Sequence, residues 1–464
     1  MKPKVILLAV CVLLAAGCER GLLPSVKGVT GPKWVAAGQV ATCSTSALAP
    51  DHQDVSVRFA WGDGDTSEWI PDIWRVTTAT HAWADTGHFT VKAQARDESG
   101  RLSEWLGGLL LVSLDSSIVR WVTSIGPVGK TCPAVGPEGN IYVMTDGYLV
   151  ALDPTGSELW RRYGLGGSQS PVVGEDGSIY VLNPRLHVLD PAGTERGADT
   201  LVHADYLDAP ALGPDGAIYA ARRDTLVCLN PDGSLRWEHG APGYAGGSPA
   251  IGTDTSVCWV VGGVPSDSPS VLVFRPDGGL KWSARVDGAS WVSAGAQGSF
   301  IVASEDECYA FDAQGDVTWQ YGPFGADVVG PAVVSPGSVL LVPTYGGLLR
   351  REPDSTGGLR LSPWRFGMSV LVDAAGHGFA GADTSGSEWY DYAIVLFDST
   401  VEGHRTIPVD DEIPGAPGVS PDGTVYIGTR DGYLYALKGA PGLADTPWPK
   451  YGHDSRNTSC AAGH

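Results

Sequence analysis

Cationic side chains are scarce in this chain. Its 464 residues carry 31 Lys and Arg against 52 Asp and Glu, for a formal net charge of −21. A nucleic-acid groove or a polybasic membrane patch needs clustered cations, so the composition excludes both. Methionine is nearly absent, with three, while Trp and Tyr number sixteen each, a balance that favours β structure over helical bundles. Catalytic signatures are missing too. There is no Gly-x-Ser-x-Gly elbow, no His-Glu-x-x-His, no phosphate-binding loop, and no Cys-x-x-Cys or Cys/His cluster for zinc. Beyond the N-terminus no apolar run is long enough to cross a bilayer.

What is abundant is Gly and Pro, at 63 and 33 residues. With 43% hydrophobic residues the chain can still build cores, so this richness does not mean wholesale disorder. The positions of the glycines decide the matter.

The first residues read as an address. Lys2 and Lys4 precede an apolar stretch from Val5 to Ala16, about 12 residues and too short to span hydrocarbon, so 1–17 is expected to be a removable signal. Leu13-Leu14-Ala15-Ala16-Gly17-Cys18 resembles a bacterial lipobox, although Ala15 stands where Leu is commonest. The resemblance implies cleavage before Cys18, lipidation of Cys18, and a membrane partner held through acyl chains. Residues 18–26 then form a linker. Glu19 rather than Asp after the cysteine leans toward the outer membrane, with its face left open. Six other cysteines follow, and Cys132 with Cys460 is the pair to test for a disulfide.

Residues 27–114 alternate apolar and polar side chains in short runs, notably 39–46, 55–61 and 88–95, the period of half-buried strands. Phe59-Ala-Trp-Gly-Asp-Gly-Asp-Thr-Ser and Thr80-His-Ala-Trp-Ala-Asp-Thr-Gly-His-Phe-Thr-Val resemble the conserved runs of PKD domains. That resemblance implies a seven-stranded Ig-like sandwich, used as a spacer or adhesion module. Asp63 and Asp65 offer two carboxylates in the turn, a thin donor set for calcium, so no metal is expected.

The rest of the chain is one repeat. Pro133-Ala-Val-Gly-Pro-Glu-Gly-Asn-Ile-Tyr-Val returns at Pro171, Pro210 and Pro249, degenerates at Val292, Pro331 and Val370, and ends at Pro417. Each unit holds four short strands in roughly 40 residues, which is the grammar of a propeller blade. The fold expected is therefore all-β: a small sandwich followed by an eight-bladed propeller over 115–458, or seven blades if Val370 marks an insertion, with a tail at 459–464. Ser117-Ile-Val-Arg-Trp-Val-Thr is a fourth strand without a blade of its own, and 117–123 is expected to complete the last one. Asp153, Asp190, Asp312 and Asp398 end third strands at one register, which Asn230 occupies in the third blade, and read as blade-building residues. Asp146, Asp224, Asp306 and Asp431 read as hairpin formers.

Ala151-Leu-Asp-Pro-Thr-Gly-Ser-Glu-Leu-Trp and Asp431-Gly-Tyr-Leu-Tyr-Ala-Leu resemble the PQQ-like propeller repeat, and Trp448-Pro-Lys-Tyr-Gly-His-Asp resembles a segment found at an end of such propellers. The quinone-dependent enzymes of that architecture use calcium, a catalytic Asp and often a vicinal disulfide. No Cys-Cys pair occurs here and no calcium set matches, so no cofactor is expected, PQQ included. The asymmetric connections are the candidate binding elements. They comprise 262–270 and 381–392, the latter with Glu388, Trp389, Tyr390, Asp391 and Tyr392, then 203–209 with Tyr206, and 287–291 with Trp291. The leading expectation is a lipid-anchored, non-enzymatic binding or scaffold protein of the bacterial envelope, with a protein or glycan partner. A similarity to the propeller lipoprotein of outer-membrane barrel assembly offers one variant. An enzyme working in the funnel, either a quinone-dependent oxidoreductase or a polysaccharide hydrolase or lyase, is the competing class.

Overall fold

The computed structural model describes residues 23–461, apart from 50–53, 73–75, 168, 184, 200–208, 266, 353–358, 361–363, 385–390, 399–403 and 447–449. Two compact units emerge: residues up to 34 with 38–113, and 35–37 with 114–464. Among the described residues no helix is long and apolar enough to cross a membrane.

The first unit is a sandwich. Strands β1 (Ser25–Thr30), β3 (Val40–Leu48) and β6 (Thr77–Ala82) form one sheet in the order β1-β3-β6. The second sheet runs β2-β8-β7-β4-β5, from β2 (Trp34–Ala36), β4 (Val55–Ala60), β5 (Ile70–Pro71), β7 (Gly87–Asp97) and β8 (Leu106–Leu114). Eight strands thus replace the seven expected, two of them only two or three residues long. In β4 the burial alternates residue by residue, so Val55, Val57 and Phe59 face the core. Trp61 and Trp83 complete that core, where the buried Trp83 indole donates to the Trp61 carbonyl at 3.1 Å.

Among the described residues the second unit is a succession of eight sheets, one for each repeat. The first is representative: Ala134–Val135, Ile141–Thr145, Tyr148–Leu152 and Glu158–Tyr163 pair antiparallel in chain order. Its three inner strands are almost wholly buried and its fourth is mostly exposed. Burial on both faces explains the continuous Ile-Tyr-Val runs. Val370 lies on Arg365–Val372, which opens a four-stranded sheet of its own and is no insertion. The eighth sheet takes its outer strand from β9 (Val119–Ser124), which pairs with Tyr433–Lys438.

Each sheet packs on the next. Met144 of sheet one shares a cluster with Val181 of sheet two, and the chain of clusters continues through sheet seven. Between sheets seven and eight the buried Asp373 carboxylate accepts the Ala440 amide at 2.7 Å. Leu434 of sheet eight packs with Val143 of sheet one and closes the ring.

The repeated Pro-x-Gly and Trp have a common purpose. Trp160 of sheet one lies over Gly193 of sheet two and donates its indole N–H to the Pro191 carbonyl at 2.9 Å. Trp121 does the same to Gly156 and Pro154, and Trp237 to Gly278 and Pro276. The third-strand Asp residues shape the receiving turn. Asp153 Oδ1 accepts the amides of Thr155 and Ser157 at 2.8 and 3.0 Å, and Asp190 and Asp312 bind their own turns alike. These Asp residues therefore build blades.

Candidate functional site

The propeller axis is where a funnel enzyme would work, and here it is filled. After Lys438 the chain turns inward and touches the sheets in turn. Thr446 Oγ1 donates to the Val334 carbonyl of sheet six. The carbonyls of Ser455, Arg456, Thr458 and Ser459 accept the amides of Val135, Val173, Leu212 and Ile251, the inner strands of sheets one to four, at 2.7–2.9 Å. Lys450 is fully buried, with Nζ donating to the Tyr451 carbonyl, to the Asp454 carbonyl at 3.0 Å and to Asn457 Oδ1 at 2.6 Å. Asn457 Nδ2 in turn donates to the carbonyls of Cys132 and Pro171, on sheets one and two. A buried ammonium is stable only when its donors are all matched, and this one is.

Trp291 belongs to this plug and not to the rim. It starts the inner strand Trp291–Ala294 of sheet five and packs against Cys132, Ala416 and Tyr451. Residues of sheets one and five thus gather around Tyr451, and the void beside Trp291 and Tyr451 is about 10 Å³, room for about one water molecule.

The expected Cys132–Cys460 disulfide is not formed. Both thiols are free and buried. The tail brings Asn457 to Cys132, while Cys460 lies three residues further on, bridged to Ile251 of sheet four. The Cys132 thiol donates to the Pro417 carbonyl at 3.1 Å, and burial pushes its pKa up despite the opposing influence of Lys450.

The rim is built from second-to-third-strand hairpins and fourth-to-first-strand connections, which hydrogen-bond to each other. Asp146 N donates to the Pro127 carbonyl at 2.8 Å, and Arg430 N to the Glu412 carbonyl at 2.8 Å. Of the rim candidates, Tyr206, Glu388, Trp389 and Tyr390 lie outside the described residues, as does Cys18. Asp391 and Tyr392 are described, and Tyr392 opens the third strand of sheet seven opposite Asp383.

The structure adds neighbours that sequence reasoning missed. Burial first, then the charges of Asp383, Glu412, Asp411 and Asp391, push the Tyr392 phenol up. On the adjoining sheet, burial and the charges of Asp431 and Asp410 do the same to Tyr435. The run Asp410-Asp411-Glu412 was visible as a signal, but only the fold shows that it adjoins 381–392. Asp431 sits in the hairpin turn between the second and third strands of sheet eight, as expected, with Gly432 at φ +97° beside it. Both of its carboxylate oxygens are buried and neither makes a hydrogen bond. This sector of sheets seven and eight is therefore acidic and aromatic, with Arg430 paired to Glu412 at 2.8 Å on the surface.

In the sandwich turn, Asp63 and Asp65 are joined by His81, whose Nε2 lies 2.6 Å from Asp63 Oδ2.

The family model for the PKD domain matches residues 25–106, and a second, described as outer membrane protein assembly factor BamB, matches residues 145–263. A search of curated proteins finds no match. Among solved structures, the PKD domain of an M14-like peptidase from a Thermoplasmatales archaeon is 26% identical, covering 20% of this chain and 94% of that one, with a TM-score of 0.18. A catalytically inactive virginiamycin B lyase from Staphylococcus aureus, solved with quinupristin, is 13% identical over 68% of this chain and 98% of its own, at a TM-score of 0.42. A protein of unknown function from Bacteroides caccae is 12% identical over 51% and 91%, at 0.29. The chain joins a PKD domain to a PQQ-like repeat propeller, an architecture of binding and scaffold modules in general.

Proposed function

We propose that this protein is a lipid-anchored, non-enzymatic binding module of the bacterial envelope, engaging a protein partner on the acidic, aromatic rim of sheets seven and eight. The observation that carries the reading is the filled axis. A funnel enzyme needs room at the ring centre for a cofactor or a sugar, and the tail from Lys450 to Ala461 takes that room at the level of the inner strands. Binding then falls to the rim, where rigid sheets display variable connections. There Asp383, Asp391, Asp411 and Glu412 surround Tyr392. Such a surface complements Lys- or Arg-bearing segments and steers their encounter. Cys18 provides the anchor.

The test is partner recovery from solubilised envelope. Full-length protein is compared with an Asp411→Asn, Glu412→Gln variant and with a chain in which 385–390 is replaced by Gly-Ser. Both variants are expected to lose the partner at least five-fold, and raised salt is expected to weaken the wild-type complex. Equal recovery by all three proteins removes this rim as the site.

The match of residues 145–263 favours one specific partner class, the machinery that assembles outer-membrane β-barrels. Co-purification of a barrel-assembly component with the wild type, and its loss in the rim variants, is the expected result on that reading.

A further inference from the structure

The sandwich holds a polar cluster that neither the plug nor the rim uses. In the turn after β4, Asp63 Oδ1 accepts the Asp65 amide at 3.1 Å, which fixes the carboxylate. Its other oxygen faces His81 Nε2 at 2.6 Å. The imidazole is clamped in turn. It stacks on Trp61 with ring centroids 4.9 Å apart and planes 4° apart, and it meets Trp83 edge-on at 4.8 Å. One ligand atom from each of Asp63, Asp65 and His81 lies within 4.8 Å of the other two, and the cluster faces solvent. A nitrogen and two carboxylates are thus held together before any ion arrives, which lowers the ordering cost of binding.

We propose that His81, Asp63 and Asp65 form a site for one borderline divalent transition-metal ion, of the class of Mn²⁺, Co²⁺, Ni²⁺ and Zn²⁺. The donor set decides the class. Imidazole with carboxylate suits these ions, whereas calcium seeks six to eight oxygens. The ion takes the place of the proton between His81 Nε2 and Asp63 Oδ2, and that proton leaves to solvent. Bonds of about 2.1 Å at a right angle set two ligand atoms roughly 3.0 Å apart, so the pair opens by a few tenths of an ångström on loading. Asp65 supplies the third bond and water fills the remainder.

Tag-free chain carrying Cys18→Ser is titrated calorimetrically with MnCl₂, NiCl₂, ZnCl₂ and CaCl₂ in turn. Nickel and zinc are expected to bind at one equivalent in the micromolar range, and calcium not at all at the same concentrations. Asp65→Asn keeps the His81–Asp63 pair and is expected to weaken nickel at least ten-fold with the apo melting temperature unchanged. His81→Gln is expected to abolish it. The absence of transition-metal binding overturns the proposal, as does unchanged affinity in Asp65→Asn or calcium binding as tight as nickel. None of these outcomes touches the rim reading, which the partner-recovery experiment tests alone.

Discussion

At Gly193 two demands meet. Its φ of +79° favours glycine, and a Cβ there would lie 2.9 Å from two ring atoms of Trp160. Gly233 has nearly the same φ, +84°, but open space around it, because sheet two has no Trp in its fourth strand to lay over it. The pair therefore separates backbone strain from inter-sheet packing. Gly233→Ala should cost only the left-handed strain of about 1–2 kcal/mol. Gly193→Ala should add overpacking of about 1–3 kcal/mol. Thermal melting of both variants checks this, and equal shifts would show that the Trp–Gly contact carries no weight.

A second residue-scale expectation concerns acid. Partial desolvation works to raise the pKa of the exposed Asp422, yet hydrogen bonds from Ser420, Thr424 and the Thr424 amide, with the charge of Arg120, bring it down to about 2. A depressed folded pKa stabilises the fold above the unfolded value near 3.9, and that contribution disappears as pH falls toward 2. Asp422→Asn should thus melt below wild type at pH 7, with the gap closing between pH 4 and pH 2. A gap independent of pH would remove the carboxylate's charge as the cause.

At the scale of elements, the tail acts as an internal strand that no sheet contains. Lys450 and Asn457 hold it, and each donates to carbonyls along the tail or on the inner strands. Lys450→Met leaves the Tyr451 and Asp454 carbonyls and Asn457 Oδ1 without their donor. Unpaired buried groups cost about 1–3 kcal/mol each, so the melting temperature should fall by many degrees. Asn457→Leu should fall similarly, since the Cys132 and Pro171 carbonyls lose theirs. Melting within a degree or two of wild type would mean that the tail can leave the axis cheaply.

Much of this scale was legible in the sequence. The Pro-x-Gly and Trp register announced the blades, and Asp153 and Asp190 repeat because every turn of that kind needs its amides bound. The tail's course was not legible, since Lys450 acts within the tail through Asn457, whose own contacts reach sheets one and two, some 300 residues earlier. For the same reason Trp291 was read as a rim residue. An aromatic after Asp-Gly-Ala-Ser looks like a loop until the ring closes and brings Tyr451 against it.

The whole molecule distributes its charge and its thiols unevenly. Acidic groups concentrate on the sheet seven–eight rim and in the turns, which gives the net charge of −21 a structural account in part. Among the described residues every thiol is buried. Cys43 lies in the sandwich, whereas Cys132, Cys228, Cys258, Cys308 and Cys460 lie in the propeller unit. Burial pushes Cys43 and Cys228 up to about 11, and Cys258 and Cys308 higher still, so none of these four reacts as a thiolate in the folded state. Closure of the ring makes a sharper demand. Each sheet is buried between two others, so no sheet can open without exposing its neighbours. In a Cys18→Ser chain lacking the signal residues, thiol-reactive dye should therefore find no sites under native conditions and six on full unfolding, with or without prior reductant. Across a urea series the five propeller thiols should appear in one transition and Cys43 in its own. Release of Cys308 well before Cys132 would show instead that sheets five and one, on opposite sides of the plug, unfold separately and that the tail does not bind the ring into one cooperative body.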